Sequence, residues 1–370
     1  MHILTVSLST FRNYEVLNFR PSEGLNVLVG RNAQGKSAVL EAVYLLATSK
    51  SHRTSRDLDL IRIGDPFARA MAEVQRSVRN DITLEILLSR SEKKTVRINS
   101  VRHPKIGDVV GQLNAVIFSD SDIDMVRGEP SRRRRFLNLE ISQISPQYVF
   151  ALGRYKRVLD QRNNLLREIK HGRASATGLE IWNSQLIQYG AVITAKRVEF
   201  MEFLQGASAR IYSALTEGAE ALSIAYRPNV DVVDKSEPAI AQRFAEALAA
   251  KTELDLMRGT THTGPHRDDV SISINGLAAR EFASQGQQRT AAIALKLAEI
   301  DLVRQASGET PVVLLDDIMA ELDETRRQRI FDSTAGCQTM ITTTHLSDLS
   351  PAVLERATVF EVEAGTVTPR

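Results

Sequence analysis

Cysteine is nearly absent from this sequence, since Cys337 is the only one among 370 residues. A single cysteine excludes an internal disulfide framework and favours a reducing compartment. No run of about 18 apolar residues occurs, so we expect no membrane-spanning helix. The first residues, MHILTVSLSTFRNYEV, lack the basic start and the long apolar run of a signal peptide. We therefore expect a cytoplasmic protein that does not contact a membrane.

The sequence also lacks a strong charge of one sign, long heptad repeats and the common DNA-reading motifs. Its formal net charge is only +2, so the overall charge says little about a polyanionic partner. Sustained apolar heptads are absent, which excludes a long coiled-coil arm. There is no helix-turn-helix, zinc site or RNP-type aromatic motif, so we expect no base-specific reading of DNA. Any binding of nucleic acid must depend on local clusters of basic residues.

Strand patterns occupy both ends of the chain. Alternating apolar residues in HILTVSL and YEVLNF, and again in the segment 81–98, predict short strands and a hairpin. After residue 258, strand and helix patterns alternate, which is typical of a parallel sheet covered by helices. We predict one α/β domain, a mixed or parallel sheet with helices, formed by residues 1–120 and 258–370.

The middle of the chain, residues 121–257, predicts a mainly helical second domain inserted into the first. Ser145-Pro146 interrupts its first helical pattern, because serine suits a helix N-cap and proline suits the first helical position. Further helices are expected at about 179–204 and 238–256. Beyond the insert, Asn275-Gly276 predicts a type I′ hairpin turn.

The stretch GRNAQGKS lies between the apolar run LNVLV and the helical pattern SAVLEAVYLLAT. It fits G-x-x-x-x-G-K-[ST] in the expected strand–loop–helix context. Such a loop directs backbone N–H groups at phosphate oxygens, and the helix dipole adds to the attraction. Lys36 is expected to reach the β- and γ-phosphates of a nucleotide such as ATP, and Ser37 to ligate Mg²⁺. The predicted nucleotide-binding residues are Gly30, Arg31, Asn32, Ala33, Gln34, Gly35, Lys36 and Ser37.

A second apolar strand, beginning at Val312, ends in the two carboxylates Asp316 and Asp317. An acid at the end of a second buried strand supplies the Mg²⁺ contact that a P-loop needs, and Asp316 is the candidate. Asp317 is the candidate for positioning or deprotonating the attacking water. An acid-capped strand alone is common, but together with the P-loop it indicates hydrolysis of a nucleoside triphosphate.

A second helix N-terminus of the anion-binding kind begins at SQGQQ, with Ser284, Gly286 and Gln287. One nucleotide does not need two such termini in one chain, whereas two chains facing each other do. The segment AELD after the carboxylate pair would lie at such a dimer seam, and His345 follows the strand ITTT near the γ-phosphate. A lone histidine is more often a satisfied surface or core residue. In this order, however, the segments resemble the ATP-binding-cassette (ABC) superfamily, and His345 its switch histidine.

The interval between Ser37 and Ser284 is 247 residues, too long for a transporter cassette, while SMC proteins fill it with a coiled coil that this chain lacks. Several further segments are similar to the RecF family of bacterial recombination mediators, which act in gap repair and at stalled replication. These segments are FRNY, GRNAQGKS, KSHRT, GEPSRRRRFLN, TGPHRDD, SQGQQRT and LLDDIMAELD. The resemblance extends from the first predicted strand to the last.

The resemblance implies a weak, DNA-stimulated ATPase that dimerises with ATP on double-stranded or gapped DNA and is released by slow hydrolysis. It implies the recombination mediators RecR and RecO as partners. It also makes Arg12 and Asn32 additional nucleotide contacts, and it implies that the SQGQQ segment touches the γ-phosphate across the dimer. Two residues depart from the family's usual pattern: Arg31 stands where the family often has an acidic or small residue, and Asn138 where aspartate is more usual. Asp317 stands where the ABC superfamily has glutamate, and an aspartate there is common in the RecF family.

Four consecutive arginines, Arg132, Arg133, Arg134 and Arg135, form the densest basic run. A continuous run surrounds a helix, so one or two of them are expected to pair with acids such as Glu129 and Glu140. If two protomers form a clamp, the remaining arginines and Arg53 are candidates for contact with duplex phosphates. Arg53 could equally bind the nucleotide phosphate.

Two other functions remain open from the residues alone. An ABC-type cassette could couple ATP hydrolysis to a membrane partner, in which case the insert would be a coupling surface without affinity for DNA. A small-molecule P-loop kinase would need an acceptor pocket and has no use for SQGQQ. Binding of ATP-loaded protein to gapped duplex separates these alternatives from the DNA-binding function.

Overall fold

The computed structural model describes residues 1–370, which form two compact units. The first unit contains Met1–Ile123, Ala214–Gly218 and Arg289–Arg370, and the second contains Asp124–Ser213 and Ala219–Gln288. The strands are β1 (His2–Phe11), β2 (Tyr14–Phe19), β3 (Leu25–Val29), β4 (Phe67–Gln75), β5 (Ile82–Ser89), β6 (Thr95–Ile98), β7 (Val101–His103), β8 (Ala115–Phe118), β9 (Leu222–Arg227), β10 (Asp269–Ile274), β11 (Leu277–Ala278), β12 (Val312–Asp316), β13 (Thr339–Thr343), β14 (Ala357–Glu363) and β15 (Thr366–Pro369). The helices are α1 (Lys36–Thr48), α2 (Asp124–Arg127), α3 (Pro130–Ile144), α4 (Pro146–Lys170), α5 (Leu179–Leu215), α6 (Glu237–Ala250), α7 (Thr252–Arg258), α8 (Ala279–Phe282), α9 (Gln285–Ser307), α10 (Glu324–Ser333) and α11 (Pro351–Leu354).

The first unit contains two six-stranded sheets. One is antiparallel, with the order β2-β1-β4-β5-β6-β7, and the other has the order β15-β14-β3-β13-β12-β8. In the second sheet every neighbouring pair is parallel except β14 and β15. Because β3, β13 and β12 are neighbouring parallel strands, the loop after β3 and the acids at the end of β12 lie at the same edge of the sheet.

Helix α1 lies in the core between the two sheets. It contacts strands of both, and every one of its residues except Ser37 is buried. A helix that is apolar on all sides is stable only when it is surrounded by protein, which explains the absence of a polar face in SAVLEAVYLLAT. The helix therefore holds the residues at its N-terminus in a fixed position.

The second unit is mainly helical and also contains the antiparallel sheet β11-β10-β9. The predicted turn between β10 and β11 is confirmed, since Asn275 and Gly276 have φ angles of 51° and 80°. The break between α3 and α4 is also as predicted, because the Ser145 hydroxyl accepts a hydrogen bond from the Tyr148 N–H at the start of α4.

The boundaries of the two units differ in part from the predicted domain boundaries. The first lies after Ile123, close to the predicted residue 120, but the second lies after Gln288 rather than 257. The reason is that β10 pairs with β9 and not with a strand of the first unit, so the segment up to Gln288 folds with the helical unit. None of the helices is both long enough and apolar enough to span a lipid bilayer.

Candidate functional site

The loop from Gly30 to Gly35 passes between β3 and α1 through tightly confined space. A Cβ atom at Gly30 would lie 2.2 Å from the carbonyl oxygen of Val362, so only glycine fits there. Gly35 has a φ of 117° and precedes α1 as its N-cap residue, and a Cβ there would lie 2.8 Å from the Tyr14 ring. Both glycines of the motif are therefore required by the backbone path.

Side chains outside the motif fix this loop. The Asn13 amide donates to the carbonyl oxygen of Gln34 at 2.9 Å, and the Tyr14 hydroxyl donates to that of Gly35 at 3.1 Å. The Gln34 side chain in turn accepts from the N–H of Ala364 at 2.7 Å. These contacts use only loop carbonyls and one side chain. The Gly30 N–H donates to the carbonyl oxygen of Thr343 at 3.4 Å, and the N–H groups that follow it in the loop remain for an anion.

The Lys36 side chain folds back over the loop. Its ammonium donates to the carbonyl oxygens of Gly30 at 2.7 Å and Arg31 at 2.9 Å, and the residue is only 6% exposed. Burial lowers the pKa of Lys36, and the carboxylates of Asp317 and Asp316 oppose that shift. A buried ammonium held by neutral carbonyls and facing two acids is a prepared partner for phosphate oxygens.

The two acids at the end of β12 have different surroundings. Asp316 accepts a hydrogen bond from the Thr342 hydroxyl at 2.9 Å and lies 3.4 Å from the Nε2 atom of His52. Burial acts to raise the pKa of Asp316, but hydrogen bonds from His52 and Ser37 outweigh it and hold the pKa below the usual value. For Asp317, burial raises the pKa, and the charge of Asp316 adds to the shift.

A cleft of about 540 Å³ opens over this loop. Its volume is in the range of small-molecule and cofactor sites. The residues that line it come from the P-loop, from the FRNY segment, from the loop after α1 and from the end of β12. They are Arg12, Asn13, Asn32, Ala33, Gly35, Lys36, Ser37, Ala38, Arg53, Asp59, Ile61, Ile63 and Asp317.

Two arginines predicted from the sequence line this cleft. The guanidinium of Arg12 forms a bidentate ion pair with Glu41 of α1 and donates a third hydrogen bond to the carbonyl oxygen of Asp59 at 2.9 Å. Arg53 is exposed in the cleft wall, which favours a role toward a nucleotide over one toward DNA. His345 follows β13, but it is exposed and does not line the cleft.

The SQGQQ segment belongs to the second unit up to Gln288. The Ser284 hydroxyl accepts from the Gln287 N–H at 3.2 Å, and the Gln287 side chain accepts from the Ser284 N–H at 2.8 Å. This reciprocal pair is a capping box, which fixes the first turn of α9. Ser284 and Gly286 are exposed, so the segment presents a helix N-terminus to solvent.

The arginine run does not present four free cations. Arg133 is buried, and its guanidinium forms a bidentate pair with Asp269 at 2.7 and 2.9 Å. Arg134 donates to the carbonyl oxygen of Asp268 at 2.7 Å, whereas Arg132 is exposed. The predicted pairing with acids thus occurs, but Arg133 pairs with Asp269, while Glu129 binds Arg280.

Sequence reasoning missed several residues of the site. Asn13 and Tyr14 hold the P-loop, Ile63 lines the cleft while 96% exposed, and His52 contacts Asp316. FRNY and KSHRT were visible as motifs, but nothing in their spacing indicates that they meet the P-loop and the acid. His266 of the TGPHRDD segment forms a hydrogen bond with the Tyr155 hydroxyl, and both residues belong to the second unit.

A family model described as the RecF/RecN/SMC N terminal domain matches residues 2–368 of the chain. The DNA replication and repair protein RecF of Geobacillus kaustophilus (strain HTA426) is 39% identical over 371 residues, covering 100% of this chain and 99% of that protein. The protein of the same name from Shouchella clausii (strain KSM-K16) is 41% identical over 370 residues, covering 99% of each.

Solved structures give the same result. The recombination mediator protein RecF-ATPrS in the RecFOR pathway superposes with a TM-score of 0.91 at 33% identity, covering 100% of this chain and 98% of that one. An SMC head bound to the C-winged helix domain of ScpA gives a TM-score of 0.57 at 14% identity, covering 100% and 97%, and supports the shared fold alone. The predicted fold class, an ABC-type ATPase head with an inserted, mainly helical unit, is confirmed.

Proposed function

Because this chain belongs to the RecF family, we propose that it is an ATP-dependent DNA-binding mediator of repair and replication restart. ATP binding drives two copies together on duplex or gapped DNA, and slow hydrolysis releases them. The observation that carries the proposal is the buried Lys36 ammonium, which is held by two loop carbonyls and whose pKa is acted on by the charges of Asp316 and Asp317 at the end of β12.

The residues at the end of β12 fit a magnesium ion. The Ser37 hydroxyl acts to lower the pKa of the Asp316 carboxyl, and oxygen ligands of these two kinds are those that Mg²⁺ prefers. When bound, Mg²⁺ neutralises charge on the β- and γ-phosphates. Lys36 binds the same phosphates, and Asp317 is the candidate to orient the attacking water. Its raised pKa suits a group that must accept a proton.

Dimerisation follows from the two separate anion sites. We propose that a nucleotide bound in the P-loop cleft leaves its γ-phosphate accessible to a second copy. The capped N-terminus of α9 presents Ser284 and Gly286 to solvent. If the SQGQQ segment of one copy binds the γ-phosphate held by another, ATP supports association and ADP does not, since a ligand shifts an equilibrium only by its differential affinity. Exposed cations such as Arg132 then contact duplex phosphates. The similar RecF structures are of a recombination mediator in the RecFOR pathway, so RecR and RecO are the proposed partners, in the cytoplasm.

Sedimentation of the full chain with ATP, ADP or no nucleotide tests this function. The expected result is a dimer with ATP alone, and ATP-dependent retardation of a gapped duplex that weakens as salt rises. Monomers at concentrations well above micromolar in saturating ATP would overturn the clamp. ATP-loaded protein that does not bind DNA at low salt would favour the membrane-coupled cassette instead.

A further inference from the structure

His52 lies in the KSHRT segment, just after α1, and its ring reaches the end of β12. The Nε2 atom lies 3.4 Å from Oδ2 of Asp316, and the His52 side chain is 6% exposed. Only the tautomer with its hydrogen on Nε2 can donate to this carboxylate. His52 therefore contacts Oδ2 of Asp316, whereas Thr342 contacts the other carboxylate oxygen, Oδ1.

The two oxygens of Asp316 have separate donors. The Thr342 hydroxyl donates to Oδ1 at 2.9 Å and accepts from the Asp317 N–H at 2.9 Å. The hydroxyl hydrogen of Thr342 therefore points at the Asp316 carboxylate. His52 occupies Oδ2. One donor on each oxygen fixes the plane of the carboxylate, which a single donor would leave free to rotate.

The His52 ring is itself held in place. It packs edge-on against Tyr44 of α1, with ring centroids 5.7 Å apart and planes at 88°. The turn that carries His52 is fixed by Ser51. The Ser51 hydroxyl donates to Glu41 at 2.5 Å and accepts from the N–H groups of Arg53 and Thr54 at 3.0 Å. A ring held by a buried helix and a hydrogen-bonded turn can orient a neighbouring side chain.

We propose that His52 is a positioning residue for the magnesium-serving carboxylate of Asp316. The inference rests on the proposed function and adds a residue to it. Removing a hydrogen-bond partner of a metal-ligating carboxylate lowers metal affinity or activity by about 10–100-fold. Loss of the His52 donor is therefore expected to weaken the use of Mg²⁺ while nucleotide binding without Mg²⁺ stays unchanged.

Two substitutions separate the hydrogen bond from the packing. His52→Phe keeps an aromatic ring against Tyr44 but has no donor, whereas His52→Gln loses the ring and keeps an N–H group. Two quantities are measured for both variants and the wild type. The first is the Mg²⁺ concentration that gives the half-maximal ATPase rate, and the second is the dependence on Mg²⁺ of the rise in melting temperature that ATP causes. His103→Gln is the matched control, because His103 makes a similar contact with Asp108 at 3.3 Å away from the cleft.

The expected result is a rise of about 10–100-fold in the half-saturating Mg²⁺ concentration for His52→Phe. His52→Gln should lie near the wild type, and His103→Gln should be unchanged. A wild-type Mg²⁺ dependence in folded His52→Phe, or equal impairment of both variants, overturns the proposal. If His52→Phe does not fold, His52→Met takes its place under the same criteria. If the wild-type chain itself shows no Mg²⁺-dependent ATP binding, the proposed function fails instead.

Discussion

The carboxylate of Glu41 accepts two hydrogen bonds from the guanidinium of Arg12, at 2.8 Å from Nε and 2.7 Å from Nη2. Glu41 is fully buried on α1, and the Ser51 hydroxyl donates to the same carboxylate. The hydrogen bond from Arg12 to Glu41 raises the pKa of Arg12. One buried acid thus connects a cleft arginine with the turn that carries His52 and Arg53.

Glu41→Gln is expected to lower the free energy of unfolding by about 1–3 kcal/mol, because the amide replaces one buried acceptor with a donor. Urea unfolding measures the change. Glu15→Gln is the control, since Glu15 is 75% exposed beside Arg62 and such surface pairs contribute about 0–1 kcal/mol. Equal losses in the two variants would show that the buried pair has no special role.

Gly30→Ala is expected to destabilise the P-loop by about 1–3 kcal/mol, because its Cβ would lie 2.2 Å from a backbone oxygen that cannot move freely. Gly24→Ala, at the other end of β3, has nothing within 4 Å and is the control. Thermal unfolding and ATP affinity are compared for the two variants. Wild-type ATP affinity in Gly30→Ala would contradict the confined path of the loop.

Lys36→Arg is expected to retain ATP binding but lose hydrolysis. Arginine keeps the positive charge, yet its planar fork cannot occupy the compact ammonium position between the carbonyls of Gly30 and Arg31. Equilibrium binding of ATP and single-turnover hydrolysis separate the two effects. Hydrolysis at the wild-type rate would show that any cation at this position is sufficient.

Ser284→Ala and Ser145→Ala each remove the N-cap hydroxyl of a long helix, at a cost of about 1 kcal/mol. Only Ser284→Ala is expected to weaken ATP-induced dimerisation, because only α9 is proposed to receive the γ-phosphate of a second copy. Sedimentation with ATP measures this. Similar dimer populations in the two variants would mean that the Ser284 hydroxyl does not contact the nucleotide.

His266 provides a prediction about acid stability. Burial lowers its pKa to about 4, while its Nδ1 atom accepts from the Tyr155 hydroxyl at 2.7 Å and Nε2–H donates to the Thr261 carbonyl at 3.0 Å. Between about pH 6.5 and 4 only the unfolded state binds the extra proton, so stability falls as pH falls, by up to about 3 kcal/mol. Above pH 6.5 the contribution is constant.

His266→Asn keeps an acceptor for Tyr155 but cannot be protonated. The difference in unfolding free energy between wild type and variant should therefore shrink as the pH falls from 6.5 toward 4. A difference that is independent of pH over this range would show that His266 binds its proton equally in the folded and unfolded states.

Much of the first unit follows from local sequence pattern. Local patterns predict β3 from the run LNVLV, the P-loop from the loop that begins at Gly30, and α1 from the apolar segment after it. Each of these elements can be recognised from its own residues, without knowledge of what it contacts. The same holds for the acid-ending strand of the first unit, and for the helix break at Ser145 and the turn at Asn275 in the second unit. The order of the motifs along the chain then predicts that the site binds and hydrolyses a nucleoside triphosphate.

Long-range pairing could not be predicted. Asp269 begins a segment whose pattern is typical of a strand, but no local signal says that β10 pairs with β9, and this pairing decides the second unit boundary. Arg133 finds its acid 136 residues away, and His52 meets Asp316 across 264 residues. Such contacts depend on how the elements pack and not on the spacing within any one of them.

Strand β13 lies between the P-loop strand and the acid-ending strand, and Thr342 is paired with Leu28 on one side and Asp316 on the other. The next residue, Thr343, points to the opposite face, because side chains alternate along a strand. Its hydroxyl donates to Asp348 at 2.6 Å and not to Asp316. A run of identical letters thus divides its work between two faces of the sheet, and the loss of Thr342 could not be made good by its neighbour.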